Sequence, residues 1–165
     1  MRQIKFRGKD LNTGDWVYGD LEIHRKDSRR LIHSYNENGD YSRQYDVDSD
    51  TIGQFTGLKD KNGTDVYEGD ILRVREYNNQ CMLDMSREER ELFSLDELKG
   101  ELEKDFISPV VWEEGCFVIS SNGGDYNDYT LSVLYGNMKH SQPIFDFEVI
   151  GNIYDNPDLN ELRRL

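Results

Sequence analysis

The chain has 165 residues, a length that suits one domain and buries roughly 70% of its unfolded surface on folding. Its apolar fraction of 36% is low and its charged fraction of 32% high, yet ten Tyr, seven Phe and two Trp spread along the chain supply a core and argue against disorder. Acidic residues outnumber basic ones by 33 to 20, a formal charge of -13, so the mean surface potential repels phosphates and disfavours non-specific nucleic-acid binding, while leaving room for a local cationic patch.

The first strand is expected over Gln3 to Arg7, where Ile4 and Phe6 alternate with charged residues. Asn12, Thr13 and Gly14 make a turn, and Asp15 to Ile23 carries the β-favouring bulk of Trp16, Tyr18, Leu21 and Ile23, giving a hairpin. A polar loop from His24 to Arg30, a short strand from Leu31 to Ser34 and a turn around Gly39 follow. Thr51 to Thr56 reads as a short strand and Asp60 to Gly63 as a tight turn, because Asn-Gly accepts positive φ. Ile71 to Val74 is a further strand, entered through Glu68-Gly69-Asp70.

The character changes at Asp84. Ser86 with Glu89, and Ser94 with Glu97, match reciprocal capping boxes, and Leu95, Leu98 and Leu102 recur on one helical face. Two short helices are therefore expected as an acidic insertion over 84–106. After Pro109 the pattern returns to β. Val110 to Trp112 and Cys116 to Ile119 form a hairpin, Ser121 to Asp128 a Gly- and Asn-rich loop, and Tyr129 to Leu134 and Ile144 to Ile153 strands. Asn156 and Pro157 then cap and open a short C-terminal helix, with Leu159 and Leu162 facing inward. A weak internal echo relates Asp15 to Leu21 with Asp65 to Ile71.

No local signature of an activated Ser, Cys or Thr nucleophile is present. His24, His33 and His140 belong to no metal-ligand pattern. The alternating carboxylates Asp46, Asp48 and Asp50 imitate a calcium loop, but Thr51 and Gly57 stand where an EF-hand needs Gly and Glu. Gly53 to Lys59 fails the Walker A spacing. Neither a cofactor nor a metal is expected, and the chain reads as a non-enzyme. Two cysteines, Cys81 and Cys116, together with no secretory apolar region after Met1 and no membrane-length apolar run, point to a soluble protein of the reducing cytoplasm with unbridged thiols.

The segment TGLKDKNGTDVYEGDIL, Thr56 to Leu72, resembles the central signature of the YopX-like proteins of bacteriophages and prophages. IKFRGKD at Ile4 to Asp10, WVYGDL at Trp16 to Leu21, TIGQFTG at Thr51 to Gly57 and EVIGNIYDNPDL at Glu148 to Leu159 resemble the same family in the same order. The resemblance runs end to end, over one domain of residues 1–165, and departs from the family at Gly8-Lys9 and in the length of the segment near Asp84 to Phe106. It implies a bacterial-host location, a phage or prophage origin and an SH3-like β-barrel core with additional N-terminal hairpin strands, and it carries over no catalytic residues.

The signature has a structural explanation, since Gly57, Gly63 and Gly69 suit turns and Asp60 and Asp70 suit capping of turn amides. Its candidate partner or ligand surface is Asp60, Asn62, Tyr67, Glu68 and Asp70. The leading expectation is an accessory protein acting through protein contacts as a homo-oligomer, by β edges and the charged insertion. One alternative is a nucleic-acid-binding barrel contacting its ligand through Arg25, Lys26, Arg29 and Arg30, and another is an acidic mimic of DNA aimed at a host protein.

Overall fold

The computed structural model describes residues 3–77, 89, 100–120, 128–131 and 144–161. It is mainly β, and its backbone divides into two compact units, residues 1–58 with 65–68 and residues 59–64 with 69–165.

The first unit is built on one six-stranded sheet. Its strands are β1 (Phe6–Lys9), β2 (Trp16–Ile23), β3 (Arg30–Tyr35), β4 (Tyr41–Asp46), β5 (Gly53–Lys59) and β6 (Asp65–Tyr67), in the order β4-β3-β2-β1-β5-β6. β1 to β4 form an antiparallel meander, closed at its start by the turn at Asp10 to Gly14. Asp10 is buried there, and its carboxylate accepts from the Asn12 amide at 3.1 Å, which settles the turn amides as an Asx turn does. Val17, Ile32 and Val47 make the buried centre, with Phe6, Leu21, Tyr45 and Ile52 packed on it.

In this unit the first strand is covered on both faces, where one buried face is expected. Ile4 is 63% exposed, whereas Arg7 is 5% exposed. Phe6 packs on the core as apolar alternation expects, but Ile4 lies before β1 and is exposed, and on the opposite face of β1 the rings of neighbouring strands stabilise a buried guanidinium. β4 was not anticipated, because Tyr41 to Gln44 is exposed on both faces and shows no apolar period.

The second unit holds two three-stranded sheets. One has the order β12-β7-β8, from β7 (Asp70–Tyr77), β8 (Leu102–Pro109) and β12 (Ile144–Asn152); the other has the order β11-β10-β9, from β9 (Val111–Glu113), β10 (Cys116–Ser120) and β11 (Asp128–Thr130). Phe145 and Phe147 are essentially fully buried, as are Ile71, Leu72, Val74 and Ile119; each contributes about 1.5–3 kcal/mol on burial. Tyr129 bridges the aromatic packing, 6.3 Å from Phe106 and 5.4 Å from Phe145 between ring centres.

An SH3-like barrel is not what these residues form. Each sheet is open, with β4 and β6 ending the first and β12 and β8 ending the second. The reason lies at Glu68-Gly69-Asp70, which was expected to lead into a barrel strand. The turn transfers the chain out of the six-stranded sheet, and β7 then pairs with β8 and β12 instead. For the same reason the internal echo is not a structural repeat: Trp16 to Leu21 is one continuous strand, whereas Val66 to Ile71 is strand, turn and strand.

The two capped helices expected over 84–106 fall mostly outside the described residues, as do Cys81, most of the loop after Ser120, His140 and Leu162. Glu89 is helical, but Leu102 to Phe106 belong to β8. The charges of Glu103, Lys104 and Asp105, which look like a solvated helical face, are here partly cross-strand partners: Lys104 faces Glu76 and Asp105 faces Arg75. The C-terminal helix, α1 (Pro157–Glu161), is present. Asn156 precedes it, but its side chain accepts from the Asn152 amide at 3.2 Å, so it closes the preceding turn.

Candidate functional site

The signature from Thr56 to Leu72 contributes to both units. In the second unit, Asp60 is its most connected residue. One carboxylate oxygen accepts from the amides of Asn62 and Thr64, both at 2.8 Å, and the other accepts from Val149 in β12 at 3.0 Å. Burial raises the pKa of this carboxyl, but the backbone donors Val149, Thr64 and Asn62 outweigh that and hold it below the usual aspartate value. Asp60 thus staples the turn to β12. Lys61 adds an amide bond to the Phe147 carbonyl at 3.1 Å and an ion pair with Glu148 at 2.8 Å.

Asn62 is exposed at the tip of that turn, and Asp70 is 2% exposed at the start of β7. Gly69 before it has φ of 80° and exchanges backbone bonds with Val110 and Ile153, each at 2.9 Å. A Cβ at Gly69 would sit 3.1 Å from the Tyr154 ring in a left-handed backbone conformation, so glycine is required twice over.

In the first unit, Tyr67 is 3% exposed and Glu68 half-buried. The Tyr67 ring lies 5.5 Å from both Phe55 and Tyr18. The Arg7 guanidinium sits 4.6 Å from the Trp16 ring and 5.1 Å from Tyr67, and donates to the Glu68 carbonyl at 3.0 Å. Lys5 lies 4.5 Å from Phe55 and pairs with Asp65; Lys9 lies 5.5 Å from Trp16. These cations alternate along one strand, each against an aromatic face. Gly53 belongs to the same cluster, since a Cβ there would lie 2.4 Å from the Glu68 carbonyl oxygen.

The five signature positions therefore do not gather as one exposed patch within either unit. Asp60, Tyr67 and Asp70 are buried, and their described contacts are internal. Arg7, the partner of Tyr67 and of the Glu68 carbonyl, is not among the residues expected from the sequence. The available signal was the spacing of Lys5, Arg7 and Lys9 opposite Trp16, Phe55 and Tyr67.

The β2–β4 meander presents different chemistry. At one end, the turn from His24 to Arg29 holds the expected cationic loop, two of whose members are engaged: Arg29 pairs with Asp27 at 2.8 Å and with Asp46 at 3.5 Å, and Arg30 donates to the Ser28 carbonyl. Hydrogen bonds from His24 and then Arg29 hold the Asp27 pKa down to about 2. Arg25 and Lys26 are exposed and form no ion pair among the described residues.

Along the strands from that turn, Glu22 lies opposite Leu31 and Asp20 opposite His33, which places Asp20, Glu22 and His33 on one face. His33 contacts Glu22 at 2.8 Å, and its ring is 6.0 Å from Tyr41. Tyr41 in turn packs edge-on to Tyr35 at 6.5 Å. Tyr35, 48% exposed, bonds to Asp20, which raises its pKa; Tyr41 is 58% exposed. Glu37 and Asp40 add two exposed carboxylates at the turn. Arg43 faces Ser34 on the opposite side and lies over its own Tyr45 ring at 5.1 Å.

In the second unit, one face of the β12-β7-β8 sheet is an ion-pair lattice. Asp105 binds Arg73 at 2.5 Å and approaches Arg75 at 3.6 Å; Arg75 reaches Glu148 at 3.4 Å and Asp146 at 3.8 Å. The Arg73 hydrogen bond is the main cause of a lowered Asp105 pKa. Among the described residues no group of three His, Cys, Asp or Glu converges as a metal site. Of the carboxylates that imitate a calcium loop, Asp46 turns to Arg29, and Asp48 caps the amide of Asp50 at 3.0 Å. No described helix is long and apolar enough to cross a membrane.

The Tyr67–Glu68 part of the signature is thus tied to β1 and the Asp60 part to β12, and the family model described as YopX protein matches residues 5–161. The chain belongs to the YopX family. Among solved structures, this YopX protein is similar to the crystal structure of protein EF1440 from Enterococcus faecalis, at 22% identity over 97% of this chain and 99% of that one, with a TM-score of 0.44. No curated protein matches it.

Proposed function

We propose that this YopX-family protein is a non-enzymatic accessory protein of a bacteriophage or prophage that acts through protein contacts and associates with copies of itself. The observation that supports this reading most is the exposed aromatic group Tyr35 and Tyr41, held beside Asp20, Glu22 and His33 on a regular strand framework. Aromatic side chains left at a surface and fixed by neighbours lose little entropy on docking, which is why interfaces are rich in them. The signature residues, by contrast, spend their polar groups on the fold, as Asp60 does on three backbone amides.

Light scattering of the full chain over a range of concentrations is expected to give a mass above the 19.4 kDa of one chain. A pull-down from bacterial lysate with the chain as bait supplies the second readout. A monomer at every concentration, together with no captured protein, contradicts the proposal.

A further inference from the structure

We infer that Asn38, in the β3–β4 turn, is a self-modifying site, attacked at its side-chain amide by the backbone nitrogen of Gly39, and that the fold selects it over Asn62. Both asparagines precede glycine and both are exposed; Asn122-Gly123, the same dipeptide, lies outside the described residues. In the reaction the Gly39 nitrogen loses its proton and bonds to Cγ of Asn38, the Cγ–Nδ2 bond breaks, and ammonia leaves. Water then opens the cyclic imide at either carbonyl, giving aspartate or isoaspartate. The net change is amide plus water to carboxylic acid plus ammonia, with nothing oxidised or reduced. Glycine allows the attack because no side chain shields its nitrogen, and a Cβ at Gly39 or at Gly63 would meet nothing within 4 Å.

Locally the two turns are twins. Gly39 has φ of 82° and donates to the Asn36 carbonyl at 2.9 Å; Gly63 has φ of 85° and donates to the Asp60 carbonyl at 3.0 Å. The Asn36 side-chain oxygen accepts from the amides of Asn38 and Asp40 at 3.0 and 2.9 Å, as the Asp60 carboxylate does from those of Asn62 and Thr64. In this closed form a carbonyl holds the attacking nitrogen, so the reaction runs through an opened turn and its rate follows the cost of opening. That cost separates the two sites. Asn36 is a neutral acceptor and Asp60 a charged one, and charge-assisted hydrogen bonds are roughly twice as strong. Asp60 also accepts from Val149, while Lys61 donates to the Phe147 carbonyl and pairs with Glu148, so opening the 60–64 turn detaches it from β12. Among the described residues, the hydrogen bonds of residues 36–40 run only within their own turn. That turn leads into the edge strand β4, whose register with β3 already breaks at Ser34/Tyr35.

The product alters what the turn holds in place. Isoaspartate adds one carbon to the main chain between Tyr35 and Tyr41, which the turn sets opposite each other, and either product adds a carboxylate there. On the reading of these tyrosines as a contact surface, from which this consequence follows, self-association declines as the chain ages.

Peptide mapping by mass spectrometry, on the full chain aged at mildly alkaline pH, tests the site. Asn38 is expected to convert about tenfold faster than Asn62 in the folded chain, and the two to convert within about threefold of each other in concentrated urea, where neither turn is held. Asp60→Asn, which replaces the charged acceptor with a neutral one, is expected to speed Asn62 and leave Asn38 unchanged. Should that variant unfold at the ageing temperature, Glu148→Gln, which releases only the Lys61 ion pair on that turn, is expected to move Asn62 in the same direction. Equal rates in the folded chain, a faster Asn62, or an intact Asn38 where the unfolded chain converts at both sites overturns the inference. Light scattering of fresh and aged chain tests the consequence separately. An aged chain converted at Asn38 that associates as the fresh one does removes Tyr35 and Tyr41 from the contact, and a fresh chain that is monomeric defeats the contact reading alone; the mapping decides the reaction site in either case.

Discussion

The Lys5 to Lys9 stretch of the first unit and the ion-pair sheet of the second handle positive charge in opposite ways. In the first, Lys5, Arg7 and Lys9 lie against the rings of Phe55, Tyr67 and Trp16; in the second, Lys61, Arg73, Arg75 and Lys104 meet the carboxylates of Glu148, Asp105, Asp146 and Glu76. A ring binds a cation with little desolvation of a second charged partner, so Arg7 can be buried. A carboxylate pairs best with both groups partly wet, and the Arg73 and Asp105 side chains keep 43% and 27% of their exposure. The Arg7 charge therefore belongs to the core of the first unit, whereas the Arg73–Asp105 pair belongs to the surface of the second.

That contrast breaks most visibly when a buried element is removed from each unit. Phe147→Ala, in the second unit, is expected to cost about 3–5 kcal/mol by urea unfolding, since its ring is fully buried. Arg7→Ala is expected to cost about 2–4 kcal/mol, an unusual loss for a surface-type residue, because two ring contacts and the bond to the Glu68 carbonyl go together. Arg7→Lys should recover only part of it, since an ammonium cannot span Trp16, Tyr67 and the carbonyl at once. An Arg7→Ala loss below 0.5 kcal/mol, on the order of an ordinary surface substitution, removes the distinction between the units.

Asp60→Ala comes next, at about 2–3 kcal/mol, because three amides lose a charged acceptor. Its pH dependence has a definite sign. The folded pKa is depressed below 3.8, so the carboxylate's contribution is complete above the unfolded value and fades as pH falls through the lower folded one. Acid unfolding of the wild type and of Asp60→Asn should therefore diverge above pH 4 and converge below it. Asp105→Asn is expected to cost at most about 1 kcal/mol, as a half-exposed pair in water, and 0.5 M salt should erase the difference. Arg25→Glu with Lys26→Glu should leave the midpoint unchanged.

The sequence already shows much of this architecture where side chains follow a period or a turn demands a residue. The Asp60 to Gly63 turn, the strand after Gly69 and the strand from Ile144 are of this kind, as is the hairpin around Gly115. What it hides depends on partners far along the chain. β8 carries Glu103, Lys104 and Asp105 in a row, and its strand character comes from pairing with β7. Arg7 looks like a solvated residue until Trp16 and Tyr67 are brought beside it. Family resemblance locates the signature, but its residues Asp60 and Tyr67 turn inward, while the exposed chemistry sits on Tyr35 and Tyr41, in a stretch with no motif at all.

The central claim is that the signature holds the fold while the β2–β4 meander makes the contacts. Hydrogen exchange of the full chain, read by mass spectrometry at low and high protein concentration, separates the two most directly. Protection that rises with concentration in peptides covering residues 20–43, and stays constant over residues 56–72, is the predicted result. A rise centred on residues 56–72 instead, with the meander unchanged, contradicts the account.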